Sequence, residues 1–431
     1  MPHAAETGVV PSNPSRRIAI YSALLTSAAQ GSKILVGFCV LKLVAMYLGP
    51  DGLGKLGHFM SVVSILVLLA GGGLSHGVIK YSSEYKANYF KFYKVLSTSI
   101  IYAGVFSLVF FVAGIIFSNA ISKLVFGDVH LYWVILLLAA SQIVFAFNVL
   151  FSSFANGLGD VKLFAKTQII GNLMALPVAW LMISNYGVPG AAIAIVAVFF
   201  MAFFPGLSSY IKSPLFLRIS WKKIDTGICK KLGRFGLMLV VSAIAFPLVE
   251  ILIRESLIKN VGYKEAGIWQ GSIKLSSAYL GFFSVFLASY FLPIISPMIS
   301  KKEIGKHVFK FLLVVMFVFS LGGGVLYIGR SFFIPLLLSR DFVELESYLI
   351  YQLVGDFFKV SAYVIGFVSV AKAATKIYIG SEFIQAGIFL GLNFTLGHSI
   401  GGVAGVMVAY MYAYIIFFAV SLAAFMYWMR S

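Results

Sequence analysis

The chain has 431 residues, 60% of them hydrophobic and 11% charged, with a formal net charge of +18. No soluble domain can hide that much apolar surface, and the apolar runs are long and unbroken where a transmembrane β-barrel would show short alternating segments. The fold class is therefore an all-α polytopic membrane protein.

In chain order, residues 1–17, MPHAAETGVVPSNPSRR, are polar, hold three prolines and read as a disordered cytoplasmic tail. Arg16 and Arg17 before an apolar run imitate a signal peptide, but the apolar pattern continues to Leu48 without a cleavage boundary. Apolar runs bounded by polar or Gly/Pro turns then predict twelve transmembrane helices. They cover 20–48, 56–80, 94–118, 131–154, 163–185, 187–210, 237–258, 267–291, 307–328, 345–371, 377–397 and 402–428. Spans five and six meet at the tight turn NYGVPG (185–190), and spans eleven and twelve at GHSIGG (397–402). The two cysteines, Cys39 in a span and Cys229 in a basic loop, imply no disulfide framework.

Charge sets the orientation. With the N-terminus inside, 22 Lys and Arg residues fall on the inner side and 7, Arg254 among them, on the outer side. That split places both termini in the cytoplasm. It also accounts for the net charge, so no nucleic-acid partner is needed.

The cytoplasmic linker 212–236 carries Trp221, Ile224, Ile228, Leu232 and Phe235 at helical spacing, with Lys222, Lys223, Lys230, Lys231 and Arg234 between them. This predicts an amphipathic helix on the inner leaflet. It divides the chain into two six-helix halves, 18–211 and 237–431. The halves echo each other. YLGPDGLGKLG (47–57) matches NVGYKEAGIWQG (260–271), with Gly49 on Gly262 and Gly54 on Gly267. YGVPGAAIA (186–194) matches HSIGGVAGV (398–406), with Gly190 on Gly402. Six spans per half is an even number, so the repeats are parallel, an arrangement that places a substrate cavity between the halves and works by alternating access.

No P-loop and no H-E-x-x-H metal spacing occurs, and the chain has no large polar segment for a catalytic domain. The informative residues are the charges inside spans: Lys33, Lys42, Glu250, Lys274, Asp356, Lys359 and Glu382. Intramembrane charges face a cavity or a partner and are functional candidates. Lys33 and Lys42, nine residues apart, share a cavity only if the helix bends, and Gly37 permits that; Lys42 can also snorkel to the outer interface. Glu250 and Arg254 at i,i+4, and Asp356 and Lys359 at i,i+3, read either as local ion pairs or as switchable pairs that gate transport or couple it to an ion. Lys274 has no local acid. Glu382 pairs with Lys376 or binds a proton or Na+. Four of the seven are lysines, so the cavity suits an anion, with Lys33, Lys42 and Lys274 as its phosphate ligands.

These features resemble the O-antigen and enterobacterial common antigen flippases, the polysaccharide-transporter branch of the multidrug/oligosaccharidyl-lipid/polysaccharide exporter superfamily. The resemblance covers most of the chain. It rests on the first-span lysines followed by L-G-P-x-G-L-G (Leu48 to Gly54), and on H-G-V-I-K-Y (His76 to Tyr81), where the family commonly has Asn in place of His76. Further on, it rests on G-I-W-Q (Gly267 to Gln270) through Lys274, Ser276 and Tyr279 to Y-F-L-P (Tyr290 to Pro293), and on G-D-F-F-K (Gly355 to Lys359). The long N-terminal tail departs from the family pattern.

The resemblance implies a bacterial inner-membrane flippase, not an enzyme. It would move an undecaprenyl-diphosphate-linked oligosaccharide from the cytoplasmic to the periplasmic leaflet, with no cofactor, driven by an H+ or Na+ gradient and partnered by the polysaccharide polymerase machinery. Two other readings stand beside it. One is a drug or metabolite exporter of the same superfamily, which the lysine-rich spans disfavour. The other is a membrane enzyme of polysaccharide assembly, which the short loops disfavour.

Overall fold

The computed structural model describes residues 16–212, 225–372 and 374–430, and these form helices without strands. In chain order they are α1 (Arg16–Leu68), α2 (Ser75–Tyr85), α3 (Tyr89–Ile116), α4 (Ser118–Phe126), α5 (Tyr132–Leu158), α6 (Val161–Phe200), α7 (Phe203–Ile211) and α8 (Thr226–Val261). There follow α9 (Tyr263–Phe286), α10 (Leu292–Ile295), α11 (Lys301–Ile328), α12 (Arg330–Leu337), α13 (Leu345–Ala371), α14 (Thr375–Leu392), α15 (His398–Ile400) and α16 (Gly402–Arg430). Eight helical stretches among the described residues are long and apolar enough to cross a membrane. Two of them, Leu24–Tyr85 and Val161–Ile211, each hold two predicted spans. Helices α8 and α9 lie on predicted spans seven and eight.

The bends fall where the sequence supplies the backbone for them. Helix α1 turns at Gly49, whose φ of 63° suits glycine, and Pro50 opens the next segment, where its missing N–H is harmless. Helix α6 turns at Gly187 in the same way, with φ 59°. The second predicted span, 56–80, is not continuous. It breaks after Leu68 into one 3₁₀ turn, Ala70–Gly72, and restarts at Ser75 as α2. The cause is the run Gly71-Gly72-Gly73, all three at positive φ. The break is buried, the setting in which a membrane-depth interruption is tolerated.

The internal repeat is visible as packing. A Cβ on Gly267 would lie 1.7 Å from the carbonyl oxygen of Pro50, and one on Gly54 would lie 2.1 Å from that of Tyr263. Gly54 corresponds to Gly267 and Pro50 to Tyr263 at the same offset, so the contact is reciprocal and the halves meet about a pseudo-two-fold axis. The second echo sits three residues from its sequence match. A Cβ on Gly190 would strike Met182 O at 1.9 Å, and its counterpart is Gly405 against Gly397 O at 2.1 Å, not Gly402. A wide π turn, Asn393–Gly397, precedes the second turn and takes up one of the extra residues.

Residues 1–15 of the tail and 213–224 of the linker, with Trp221, Lys222, Lys223 and Ile224, lie outside the described residues. From Asp225 the linker runs directly into α8. The Asp225 carboxylate caps this helix, accepting from the N–H groups of Gly227 (2.9 Å) and Ile228 (3.1 Å). It also pairs with Lys94 at 3.1 Å. The Ile228 N–H, then Lys94, hold the carboxyl below the usual range. Leu232 is wholly buried in an apolar cluster with Leu74, Val78 and Leu96, which docks the start of α8 onto the N-terminal half.

Candidate functional site

Helices α1, α2, α5 and α6 enclose a cavity of about 320 Å³ in the N-terminal half. Lys33 opens into it, its Nζ 5.6 Å from the centre of the Phe199 ring. The other polar lining groups are neutral: among the described residues none of the lining side chains is acidic. Asn148 donates to Phe199 O at 2.9 Å, Gln168 to Ser152 Oγ at 3.0 Å and Asn172 to Ser32 Oγ at 2.9 Å. Ser75, the first residue of α2, also lines the cavity. The glycine break therefore brings a helix N-terminus, with its free N–H groups and positive dipole end, to the same space as Lys33. A hollow of about 390 Å³ on another face of α5 is lined by Leu96, Ile100, Phe147 and Phe151 and is apolar throughout most of its wall.

Lys42 and Lys274 do not line this cavity. Lys42 donates to the backbone oxygen of Pro335 at 2.6 Å. Pro335 lies in the last turn of α12, where carbonyls lack helical partners, so Lys42 acts as a cap across the halves. The sequence grouped the three lysines, but only Lys33 lines this cavity: α1 is straight between Lys33 and Lys42 and bends at Gly49, and Lys274 lies on α9.

The remaining charges gather in the C-terminal half. Asp356 on α13 is fully buried. Its Oδ2 accepts from Ser276 Oγ (2.7 Å), Gln352 Nε2 (3.2 Å) and the Tyr279 hydroxyl, and its Oδ1 accepts from the Tyr410 hydroxyl at 2.6 Å. Lys359 makes no direct ion pair with Asp356 among the described residues. It donates to Tyr410 OH at 3.2 Å, so the tyrosine relays between them. The ammonium also sits 4.6 Å from the Phe246 ring centre and 4.8 Å from that of Tyr414, distances at which an aromatic face stabilises a cation. Glu382 hydrogen-bonds with Tyr378 and acts on Lys359 at a distance; no ion pair joins it to Lys376 among the described residues. Lys274 has no hydrogen bond among the described residues, and its charged neighbours are Glu250 and Arg254. No group of three or more His, Cys, Asp or Glu among the described residues is placed to hold a metal ion.

Arg254 is wholly buried, although its position counts toward the outer loops by charge. Its Nη2 lies 3.9 Å from Glu250 and donates to Gln270 Oε1 at 2.6 Å, while Nη1 donates to Ser61 Oγ at 3.2 Å. The guanidinium packs over Trp269, 5.5 Å from the ring centre. A Cβ on Gly57 would fall 2.4 Å from its Nε. Because Gly57 and Ser61 lie on α1 and the other partners on α8 and α9, Arg254 clasps the two halves together. The predicted Glu250–Arg254 pair is present but long, and hydrogen bonds across the halves carry more of the clasp.

Sequence reasoning missed the carboxamides Asn148, Gln168 and Asn172, the glycine break, and Tyr410 and Tyr414; it named Tyr279 only within a family motif, without a role. The AGGG tract at 70–73 was a readable signal for the break. The amides and tyrosines carry no such signal, since each type recurs along the chain.

A family model for polysaccharide biosynthesis proteins matches residues 20–299. The lipid III flippase of Escherichia coli (strain K12) is 31% identical over 413 residues, covering 95% of this chain and 98% of that protein. Among solved structures, the lipid II flippase MurJ in an inward closed conformation superposes with a TM-score of 0.72 at 18% identity, covering 93% of this chain and 87% of MurJ. An inward-facing multidrug resistance MATE family transporter of the MOP superfamily gives 0.70 at 16% identity, covering 95% of this chain and 99% of that one.

Proposed function

The chain belongs to the polysaccharide biosynthesis protein family, and from that premise we propose that it is a flippase for a lipid-linked oligosaccharide, the unit of an O-antigen or common antigen carried on undecaprenyl diphosphate. The observation that carries this reading is Lys33, an intramembrane cation in a cavity without a carboxylate. Such a charge is expensive to keep unless a ligand supplies the anion. A diphosphate seated there meets Lys33 and the N-terminal end of α2, two groups suited to phosphate. Its lipid tail stays in the bilayer while the head group crosses. The absence of acids from the lining disfavours organic cations, and so disfavours a drug exporter.

Alternating access supplies the path. The halves touch through Gly54, Gly267 and the Arg254 clasp. Under the positive-inside orientation, with both termini cytoplasmic, this is the periplasmic end. In the proposed cycle this end parts to release the head group to the periplasm, while the start of α8 stays docked on the N-terminal half at the other end. Opening the other way requires Arg254 to leave Ser61 while keeping Glu250 and Gln270. Asp356 and Lys359, buried in the C-terminal half, and the half-buried Glu382 form the coupling set for H+ or Na+. Protonation of Asp356, or a cation beside it, changes its hold on Tyr279 and Tyr410 and so the packing of α9, α13 and α16. Lys274, close to Glu250, contributes a second phosphate contact when the halves rearrange.

The test is made in proteoliposomes with a fluorescent undecaprenyl-diphosphate-linked oligosaccharide, its transfer between leaflets followed with and without an imposed cation gradient. Protein-dependent transfer that quickens under the gradient is the expected result. No transfer under any gradient, from folded protein, removes the reading.

A further inference from the structure

The neutral wall of the Lys33 cavity carries chemistry of its own. Asn148, Gln168 and Asn172 each spend an amide N–H on the protein, donating to Phe199 O, Ser152 Oγ and Ser32 Oγ. Their carbonyl oxygens accept no hydrogen bond among the described residues. Each amide keeps its carbonyl oxygen and its second N–H for a ligand, and all three line one cavity, where Gln30 and Asn156 add two more carboxamides. Asn172 is 3% exposed, so its orientation is fixed by packing. A group of carboxamides, each offering an acceptor and a donor, matches sugar hydroxyls, which also do both.

Size narrows the ligand further. About 320 Å³ lies at the low end of the ~300–1,000 Å³ of small-molecule pockets. That seats a phosphate group with one sugar, the rest of an oligosaccharide extending out of the open mouth. Lys33 shares the cavity with the amides, and Phe199 ties the two parts together: its ring faces Lys33 and its carbonyl anchors Asn148. A sugar on the amides and a phosphate on Lys33 must therefore be directly bonded neighbours. With Lys33 engaged by phosphate, no second cationic side chain in the lining, among the described residues, compensates a carboxylate on that sugar.

We propose that the carboxamides of Asn148, Gln168 and Asn172 form the subsite for the sugar bonded directly to the diphosphate, and that this sugar is a neutral, hydroxyl-bearing one. The proposal rests on the flippase reading of the same cavity and deepens it by dividing the head group between Lys33 and the amides.

Calorimetric titration of the full-length protein in detergent with three soluble short-chain prenyl diphosphates tests it: one bearing a neutral hexose, one the corresponding hexuronate and one no sugar. The hexose ligand binds tightest, and the hexuronate at least about 10-fold more weakly, the cost of leaving a charged group unpaired. In Gln168→Met, which keeps the side-chain length, the ratio of hexose to sugar-free affinity falls about 3- to 10-fold, the worth of one neutral hydrogen bond. Equal affinity of the wild type for the three ligands overturns the proposal without need of a variant. So does an unchanged ratio in folded Gln168→Met. If the ligands rank as expected but the leaflet-transfer assay shows no movement, the flippase reading falls and the sugar subsite stands.

Discussion

The two halves repeat one another in backbone but not in charge. In the N-terminal half the intramembrane cation Lys33 faces neutral amides and has no acid beside it. In the C-terminal half Asp356 accepts four hydrogen bonds, and Lys359 is held by Tyr410 and a ring of aromatics. Keeping an uncompensated charge within a span is costly, whereas a satisfied network holds itself together. On the proposed function, the N-terminal site is completed by a ligand, and the C-terminal one, satisfied internally, is rearranged. A repeat that served both cargo and coupling would need this division, because one cluster cannot be both empty and neutralised.

Replacing Lys33 by alanine should show the largest effect. A phosphate–ammonium contact in a low-dielectric cavity is worth about 1.5–3 kcal/mol, so Lys33→Ala should slow transfer of the lipid-linked oligosaccharide about 10- to 150-fold in proteoliposomes. The protein should fold as well as the wild type or better, since the lysine has no internal partner to lose. Wild-type transfer by this variant would break the comparison, because the N-terminal cation would then be idle.

Asp356→Asn should act differently. An amide in place of Oδ2 would face three donors, from Ser276, Tyr279 and Gln352, so part of the network is left unsatisfied. The expected loss is about 1–2 kcal/mol, a 5- to 30-fold fall in gradient-driven transfer. Transfer without a gradient should change less. Measuring both rates in the same vesicles separates the roles: a uniform fall in the two would mean that Asp356 is structural and that coupling lies elsewhere.

Much of this architecture was legible in the sequence because membrane helices announce themselves by composition. The turns at Gly49 and Gly187 and the pairing of Gly54 with Gly267 all follow from glycines at matched positions. The register of the second echo was not legible, since a π turn leaves no compositional mark. Nor was the grouping of the site. Asp356 and Lys359 look like an i,i+3 pair on one helix, yet Tyr410, which separates them, comes from α16. Apart from Gln30, one turn before Lys33 on α1, the carboxamides that line the cavity come from α5 and α6, so only the packing of those helices on α1 reveals them. Charge inside a span identifies a candidate; what surrounds the charge decides its role, and that is tertiary information.

Lys42 supplies the finest test of the comparison, because by sequence alone it equals Lys33. Both are first-span lysines, but Lys42 reaches the carbonyl of Pro335 in the last turn of α12. A cation at a helix C-terminus contributes about 0.3–1 kcal/mol. Lys42→Met keeps the apolar stem and removes only the charge. It should lower stability by about that much and change transfer by no more than about 5-fold, the rate equivalent of the same energy. The loss should be equal for substrates with and without a sugar, since the bond it breaks joins the halves rather than holding cargo. A fall as large as that of Lys33→Ala would mean that Lys42 leaves Pro335 during the cycle and meets the diphosphate as α1 moves. The phosphate would then pass between two cations on one helix, and the division between the halves would hold only at the start of transport.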